Sequence, residues 1–243
     1  MISKDEFWKN KIPIGFYDNL YTQGQNKKKG LQSTWHHLTF LKLKQYINTN
    51  FNHLDYACGP GTFIGNYINS NSIGYDIAEK QIDFAVKKYS TDKKFFTSDK
   101  NQIDKIDYFD VITVMGLIEV ITIDEFLSEL DFLCTILKPK GKLIFVTPNY
   151  GGLMYFLEKL SNLFNSVNYG EVKTTFYNKK KIKNILKTYS QGSDIKFTIK
   201  CILNFGILLS VFNKKLGIKL EKVLENIFKN FFGFLLVIEI EKS

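Results

Sequence analysis

Arginine is missing from this sequence, whose 33 basic residues are all lysines. Against 24 acidic residues they give a formal net charge of +9 at pH 7. Proteins that read nucleic acids favour arginine, because its planar guanidinium grips guanine edges and phosphates through paired hydrogen bonds. The charge therefore does not indicate a specific nucleic-acid partner, and a coding bias toward lysine, asparagine, isoleucine and phenylalanine explains it at least as well.

Cysteine is scarce, and so are long apolar runs. Cys58, Cys134 and Cys201 lie far apart without the paired spacing of metal ligands, which favours free thiols in a reducing compartment and predicts no metal site. The amino terminus lacks the continuous apolar core of a signal peptide, so we expect a cytoplasmic protein. The longest apolar run, 201–212, is interrupted and is too short to span a bilayer.

The most informative stretch of the chain is 53–63, HLDYACGPGTF. Residues 54–57 have the length and apolar character of an inner strand, and Gly59-Pro60-Gly61 predicts a sharp bend, because glycine adopts backbone angles that other residues avoid. Helical spacing resumes at Thr62. A strand that ends in a glycine turn and restarts as a helix brings a small molecule close to bare backbone.

The chemistry of that small molecule is narrowed by two neighbouring features. Gly61 is not followed by the Lys-Ser or Lys-Thr of a phosphate loop, which disfavours a nucleoside triphosphate. Asp76 ends a second predicted strand about twenty residues later, where its carboxylate could hold two ribose hydroxyls. A nicotinamide dinucleotide is an alternative ligand, although the spacing of Gly59, Gly61 and Gly65 is one residue longer than its motif requires. A purely structural turn that binds no ligand is a further alternative.

Five segments in order resemble the motifs of class I S-adenosylmethionine-dependent methyltransferases. The first is LDYACGPGTF, with Ala57 where the family usually has glycine. The others are similar to the family's ribose-binding strand, adenine-side segment, fourth strand and fifth-strand signature, and they read GYDIAEKQIDFA, FFTSDKNQI, YFDVITVMGLIEVI and LKPKGKLIFVTPNY. The resemblance implies an α/β fold: a Rossmann-like three-layer sandwich whose seven-stranded sheet is mostly parallel with the last strand antiparallel, plus an N-terminal helical cover.

The resemblance also implies S-adenosylmethionine as cofactor and S-adenosylhomocysteine as product. The glycine loop would meet the methionine portion, while Asp76 would accept hydrogen bonds from the ribose and Asp99 one from the adenine amino group. The implied cofactor residues are Asp55, Ala57, Cys58, Gly59, Gly61, Asp76, Ile77, Asp99, Met115 and Gly116. A solvated turn residue is the alternative for Asp99.

Acceptor and catalytic residues are implied in the same way. Elements before the first strand and after the fifth would shape the acceptor pocket, with Tyr17, Tyr21, Trp35, Tyr150 and Tyr155 as candidates. Simple core packing is the alternative for Trp35 and the tyrosines. Many relatives carry Glu-His after the fourth strand, but this chain has Glu119-Val120, so His36 is the first candidate base and Glu119 the second.

We predict one domain over 1–243, divided into a cover at 1–50, a cofactor-binding core at 51–148 and an acceptor-side insertion with C-terminal strands at 149–243. Asp124 is predicted to cap a helix that ends near Leu137 and is stopped by 138–141. Strands are predicted near 53–57, 72–76, 94–97, 109–115, 142–147, 194–200 and 232–240. A stripe of apolar residues at 216–231 favours helical core packing, with peripheral membrane contact as the alternative.

The expected activity is methyl transfer to a small-molecule acceptor, at oxygen, in the biosynthesis of a quinone, a glycan or another secondary metabolite. A non-catalytic S-adenosylmethionine-binding regulatory or scaffold protein is an alternative, because the usual histidines are absent. An RNA methyltransferase is a further alternative that rests on charge alone.

Overall fold

A computed structural model of the chain describes residues 4–151, 154, 172, 175–228 and 231–243. Its strands are β1 (Asn52–Tyr56), β2 (Asn71–Tyr75), β3 (Lys94–Thr97), β4 (Phe109–Met115), β5 (Leu137–Pro148), β6 (Ile195–Ile202) and β7 (Leu235–Lys242). Its α-helices are α1 (Lys4–Glu6), α2 (Phe16–Lys27), α3 (Leu31–Lys44), α4 (Thr62–Tyr67), α5 (Glu79–Tyr89), α6 (Ile123–Ile136), α7 (Lys179–Tyr189) and α8 (Lys214–Phe228). A π-helix spans Phe7–Lys11, and 3₁₀ turns span Lys100–Gln102, Ile118–Val120 and Phe205–Val211.

The strands of the described residues form one sheet in the order β3-β2-β1-β4-β5-β7-β6. Every pairing from β3 to β5 is parallel, and β7 is antiparallel to both β5 and β6. This arrangement confirms the predicted mostly parallel sheet with an antiparallel last strand. The order reverses between β1 and β4, which is where a doubly wound sheet opens a binding crevice at the carboxyl ends of its strands.

Alternating side chains of the central strands are buried on opposite faces of the sheet. Ile112 and Leu143 belong to one apolar cluster, whereas their neighbours Val111 and Ile144 belong to another. Successive side chains of a strand point to opposite faces, so both faces carry a core and both are covered. Helices therefore cover the sheet on its two sides, as the expected three-layer sandwich requires.

The N-terminal cover is tied to the core by buried polar side chains. Asp18 of α2 is fully buried and accepts hydrogen bonds from the Thr62 hydroxyl at 3.0 Å and the Tyr89 hydroxyl at 2.5 Å. Gln81 of α5 accepts the amide of Gly15 at 3.0 Å and donates to the carbonyl of Pro13 at 3.0 Å. These bonds fix α2 directly beside the glycine turn that follows β1.

The start of α6 differs from the prediction. Thr122, not Asp124, is the N-cap: its hydroxyl accepts the amide of Glu125 at 3.2 Å, and the Glu125 carboxylate accepts the amide of Thr122 at 2.6 Å. This reciprocal capping box satisfies two otherwise unpaired amides. The helix ends at Ile136, and 138–141 belongs to β5 rather than to a terminating turn.

The C-terminal apolar stripe is not a buried one. Leu216, Val223 and Ile227 of α8 are each more than half exposed, so the interpretation as core packing is wrong for these side chains. Among the described residues, none of the helices combines the length and apolar character that a bilayer span requires. Tyr155, a candidate acceptor residue, lies outside the described residues.

Candidate active site

A cavity of about 780 Å³ opens at the carboxyl ends of β1, β2 and β4, under the N-terminal cover. Its volume lies within the range of roughly 300–1,000 Å³ that is usual for small-molecule sites. The glycine turn after β1 and Asp76 after β2 form one side. The other side consists of aromatic and aliphatic side chains from α2, α3 and the 3₁₀ turn Phe205–Val211.

The turn after β1 is built from left-handed backbone. Ala57, Gly59 and Gly61 have φ angles of 64°, 53° and 72°. A Cβ on Gly61 would lie 2.6 Å from the Phe96 ring, whereas a Cβ on Gly59 would meet nothing within 4 Å. Gly61 is therefore required by close packing, and Gly59 presents bare backbone to open space in the cavity. A left-handed angle is unfavourable for alanine, so Ala57 is strained where the family has glycine.

Asp76 holds this turn to the end of β2. One carboxylate oxygen accepts the amide of Gly59 at 2.8 Å, and the other accepts the amide of Ala78 at 2.9 Å. Burial raises the pKa of Asp76, and the two amides oppose that effect by stabilising the charged form. The carboxylate lines the cavity and retains acceptor capacity there, because each oxygen has more than one lone pair.

Asp55 lies beneath the turn on β1 and is 2% exposed. The Thr113 hydroxyl donates to it at 2.8 Å and also contacts His53 Nε2 at 2.9 Å. Burial raises the pKa of Asp55 from 3.8 to about 7; the charge of Asp76 adds to the rise and the Thr113 bond opposes it. Burial lowers the pKa of His53 to about 3, so His53 is neutral and serves as a structural partner.

The far end of the cavity contains Ile77 but not Asp99. Ile77 lines it beside Tyr56 and Tyr75, whose rings are 4.9 Å apart. Asp99 lies outside, exposed, where its carboxylate accepts the amide of Asn101 at 3.0 Å. The structure thus brings eight of the ten predicted cofactor residues to the cavity. Gly61 instead packs against Phe96 behind the turn, and Asp99 lies in an exposed turn.

The predicted acceptor residues divide into two groups. Tyr17 and Trp35 line the cavity. Tyr21 does not: its hydroxyl lies 2.5 Å from that of Tyr67 in the core under α3. Tyr150 also lies away from the cavity, with its ring centroid 4.9 Å from that of Phe176. Tyr21 and Tyr150 therefore do not share the cavity with Tyr17 and Trp35.

Both candidate bases line the cavity. His36 stacks on Phe40 at a centroid distance of 5.7 Å and meets the edge of Tyr17 at 6.1 Å. Burial lowers the pKa of His36 from 6.5 to about 4, so its imidazole is neutral near pH 7. Glu119 follows β4 and is 6% exposed, with its carboxylate accepting the Thr147 hydroxyl at 3.0 Å.

Comparison with known proteins identifies the family. A family described as a methyltransferase domain matches residues 28–189, about two thirds of the chain. The chain belongs to this family. The prediction of a class I S-adenosylmethionine-dependent methyltransferase is thereby confirmed, and with it the cofactor of the class.

Solved structures share the fold of this methyltransferase. A SAM dependent methyltransferase from Archaeoglobus fulgidus is 19% identical, with a TM-score of 0.55 over 85% of this chain and 94% of that one. Magnesium protoporphyrin IX methyltransferase from Synechocystis PCC 6803, with bound SAH, is 15% identical, with a TM-score of 0.61 over 98% of each chain. The plantazolicin methyltransferase in complex with SAH is 19% identical, with a TM-score of 0.58 over 98% of this chain and 93% of that one. No curated protein matches the sequence significantly.

Several lining residues of the methyltransferase were missed by sequence reasoning. Trp8, Gln32 and the adjacent Ile207 and Leu208 come from segments remote from the family motifs, whereas Gln81 lies within the second motif. The 3₁₀ turn that carries Ile207 and Leu208 appears in the sequence only as an apolar run, a pattern equally compatible with a core strand. Their place in the cavity depends on how that turn packs against α3.

Proposed function

We propose that the methyltransferase holds S-adenosylmethionine at the glycine turn and methylates a neutral, largely apolar small molecule bound beside it. The observation that carries this proposal is the division of one cavity into two chemically different sides. The polar side has the Asp76 carboxylate and the bare backbone of Gly59, and the apolar side has Tyr17, Trp35 and Met154.

The polar side fits the cofactor in size and in chemistry. The open space over Gly59, which any side chain would partly fill, allows a ligand to approach the backbone closely. Asp76 would accept hydrogen bonds from ribose hydroxyls, and Ile77 would pack against the adenine ring. The buried Asp55 and Asp76 also favour a ligand with positive charge, since each carboxylate is more easily ionised beside a cation.

The apolar side argues for the class of acceptor. Within the part of the chain that the structure describes, no lysine lines the cavity, although lysine is the chain's sole strong base. The lining includes the carboxylic acids Asp5, Glu125 and Glu129, while His36, which also lines the cavity, is neutral near pH 7. An acceptor that carries phosphate or carboxylate would lack a cationic partner, whereas a neutral ring or chain would pack on Tyr17 and Trp35.

An acceptor oxygen is the best match to the two candidate bases. When bound, the cofactor supplies an electrophilic methyl group. Glu119 and the neutral His36 could each take the proton that a hydroxyl loses, with positioning by the aromatic wall supplying much of the rate. A hydroxylated quinone precursor, a glycan or another secondary metabolite offers such an oxygen, and the lining favours the less polar of these.

An RNA acceptor is weakly supported by comparison. It rests on the net charge, but the cavity lining in the described residues has no lysine to meet a phosphate. A non-catalytic binding protein would use the same polar side, and only turnover distinguishes it from an enzyme.

The test begins with calorimetric titration of the purified protein with S-adenosylmethionine and S-adenosylhomocysteine. We expect saturable binding of both ligands and its loss in Asp76→Ala. Binding to neither ligand by a folded sample would refute the cofactor site.

The second stage measures release of S-adenosylhomocysteine with phenols and alkyl-substituted hydroquinones, each paired with a carboxylated analogue. Turnover should occur with neutral compounds and be at least tenfold slower with their charged partners. Preference for the charged partners would overturn the acceptor class, and binding without turnover on any hydroxylated compound would favour the non-catalytic alternative.

A further inference from the structure

The outer face of α8 carries an apolar stripe that the fold leaves uncovered. Leu216, Val223 and Ile227 are 52%, 51% and 65% exposed. They are seven and four residues apart, close to whole turns, so they lie along one side of the helix over about 16 Å. Phe212, just before the helix, and Phe231, just after it, are 81% and 90% exposed and extend the stripe at both ends.

A strip of lysines runs beside the apolar stripe. Lys215, Lys219 and Lys222 are exposed and fall on the adjacent side of the helix. The carbonyl of Lys28 accepts the amide of Lys214 at 2.9 Å, which brings the exposed bend 27–29, three further lysines, to the amino end of α8. Basic and apolar surface are thus continuous along the helix.

The two acids of α8 do not oppose this positive charge. Glu221 is buried, and its carboxylate accepts the Asn204 amide at 2.6 Å on the inner side of the helix. Glu225 forms an ion pair with Lys42 of α3. The exposed face therefore presents lysines without competing carboxylates from its own helix.

We propose that this face of α8 docks on the surface of an anionic lipid bilayer. An interfacial helix inserts a row of large apolar side chains among the acyl chains while lysines along its side meet lipid phosphates. Each lysine near an anionic surface contributes about 1 kcal/mol of attraction at moderate salt. The combination of basic and aliphatic surface favours a bilayer, because bases of a nucleic acid would not stack on the exposed Leu216, Val223 and Ile227. An ordinary solvated helix would not expose a continuous apolar stripe of this kind.

The docking face is one layer of structure away from the cavity. The 3₁₀ turn Phe205–Val211 lines the cavity through Ile207 and Leu208 and packs directly on α8. A Cβ on Gly206 would lie 2.3 Å from the backbone nitrogen of Glu221, so glycine is needed for this close approach. Docking would bring the apolar side of the cavity beside the bilayer, where a membrane-dissolved acceptor could reach it.

The experiment is co-sedimentation of the full-length protein with vesicles of phosphatidylglycerol and phosphatidylcholine in equal parts, or of phosphatidylcholine alone. We expect binding to the anionic vesicles at low salt and much weaker binding at about 0.5 M salt, where charges are strongly screened. The triple variant K215Q/K219Q/K222Q and the double variant F212S/I227S should each weaken binding at least about tenfold. Equal binding to neutral and anionic vesicles would overturn the proposal.

Matched controls test whether vesicle binding depends on this face of α8 or only on the total charge and exposed apolar area of the protein. K180Q/K183Q/K187Q removes the same charge from α7, whose described surface carries no comparable apolar stripe, and Ile106→Ser removes an apolar side chain that is 75% exposed elsewhere. Both should bind vesicles as the parent does. If the α7 variant weakens binding as much as the α8 variant, the attraction is general charge and the proposal fails.

Two other occupants of the face are distinguishable. If the protein forms a dimer at micromolar concentration and F212S/I227S dissociates it, the face binds a second copy of the chain. If the protein binds RNA and the lysine substitutions abolish that binding while the apolar substitutions do not, the face binds nucleic acid. Either result overturns membrane docking. The vesicle measurement needs neither cofactor nor acceptor, so its failure is separate from failure of the proposed function. Calorimetric binding of S-adenosylmethionine should be unchanged in both α8 variants.

Discussion

Thr113 donates its hydroxyl hydrogen to Asp55 over 2.8 Å, between β4 and β1, where the order of strands reverses. The bond orients a nearly fully buried carboxyl under the glycine turn. The same hydroxyl contacts the buried His53 at 2.9 Å, so three side chains from two strands form one polar cluster within the sheet. The protonation of that cluster links the stability of the fold to the charge of the cavity.

The first prediction concerns stability against pH. The pKa of Asp55 is raised from 3.8 to about 7, so its contribution to stability is fully present below pH 3.8 and is lost as the pH rises to about 7. The slope is at most about 1.4 kcal/mol per pH unit. Urea unfolding from pH 4 to pH 8 should show this loss in the parent and not in Asp55→Asn.

The informative quantity is the difference in the free energy of unfolding between the parent protein and Asp55→Asn at each pH. His36 and His53 have lowered pKa values, so they act in the opposite direction and destabilise the fold as the pH falls below about 6.5. Their effect is common to parent and variant. Identical pH profiles for parent and Asp55→Asn would show that the carboxyl of Asp55 titrates normally.

A second prediction separates Asp76 from Asp99. Asp76→Asn should weaken the binding of S-adenosylmethionine by at least tenfold, because it removes the negative charge that lines the cavity. Asp99→Asn should leave the affinity unchanged, since Asp99 lies outside the cavity and asparagine can cap the Asn101 amide equally well. Calorimetry on both variants measures this, and the opposite ranking would restore Asp99 as a cofactor contact.

A third prediction concerns Ala57, which has a φ of 64°. A left-handed angle costs an ordinary residue roughly 1–2 kcal/mol, and the greater freedom of glycine in the unfolded chain offsets up to about 1 kcal/mol of that. Ala57→Gly should therefore raise the free energy of unfolding by up to about 1 kcal/mol. Ala85→Gly, inside α5, should lower it by about 2 kcal/mol, because it puts glycine in a helix interior and removes a fully buried methyl group. A loss of similar size in both variants would show that Ala57 is unstrained.

A fourth prediction distinguishes the two glycines of the turn. Gly61→Ala should destabilise the fold by about 2–4 kcal/mol, because its Cβ would lie 2.6 Å from Phe96 and 2.9 Å from Ala85. Gly59→Ala meets no neighbour, so it should cost only about 1–2 kcal/mol of backbone strain while markedly weakening cofactor binding. Thermal unfolding and calorimetry separate the two effects, with Gly192→Ala as a control in open space.

A fifth prediction concerns His36 once an acceptor is known. His36→Ala should reduce kcat by about 10²–10⁴-fold if the imidazole is the base, with unchanged cofactor affinity. The acid limb of the parent profile should then lie near pH 4, because the rate falls as His36 becomes protonated. His37→Ala on the same helix should keep kcat, and full activity in His36→Ala would leave Glu119 as the candidate.

Much of the cofactor side could be predicted from the sequence because its determinants are local. Gly59 and Asp76 sit at the ends of adjacent parallel strands, and parallel strands bring such ends to the same edge of the sheet. The capping box of α6 was also readable, since Thr122 and Glu125 have the required spacing of three residues. Asp124 is a competing candidate, because aspartate is also a common N-cap residue.

The acceptor side could not be predicted to the same depth, because it depends on how separate helices pack. Tyr17 and Tyr21 are one turn apart on α2, yet Tyr17 lines the cavity and Tyr21 bonds to Tyr67 in the core. The small rotation of α2 that decides between them is fixed by the buried bonds of Asp18. Tertiary contacts of this kind leave no periodic signal in one sequence.

The position of β7 between β5 and β6 has a consequence for biosynthesis. Of the seven strands it is the last to leave the ribosome, yet it fills the gap beside β5 and alone connects β6 to the sheet. Until residues 235–242 emerge, β5 keeps an edge of unpaired backbone amides and carbonyls flanked by apolar side chains, which invites association with other chains. The nascent chain should thus stay dependent on chaperones until β7 is released, however early the glycine turn and Asp76 have been synthesised.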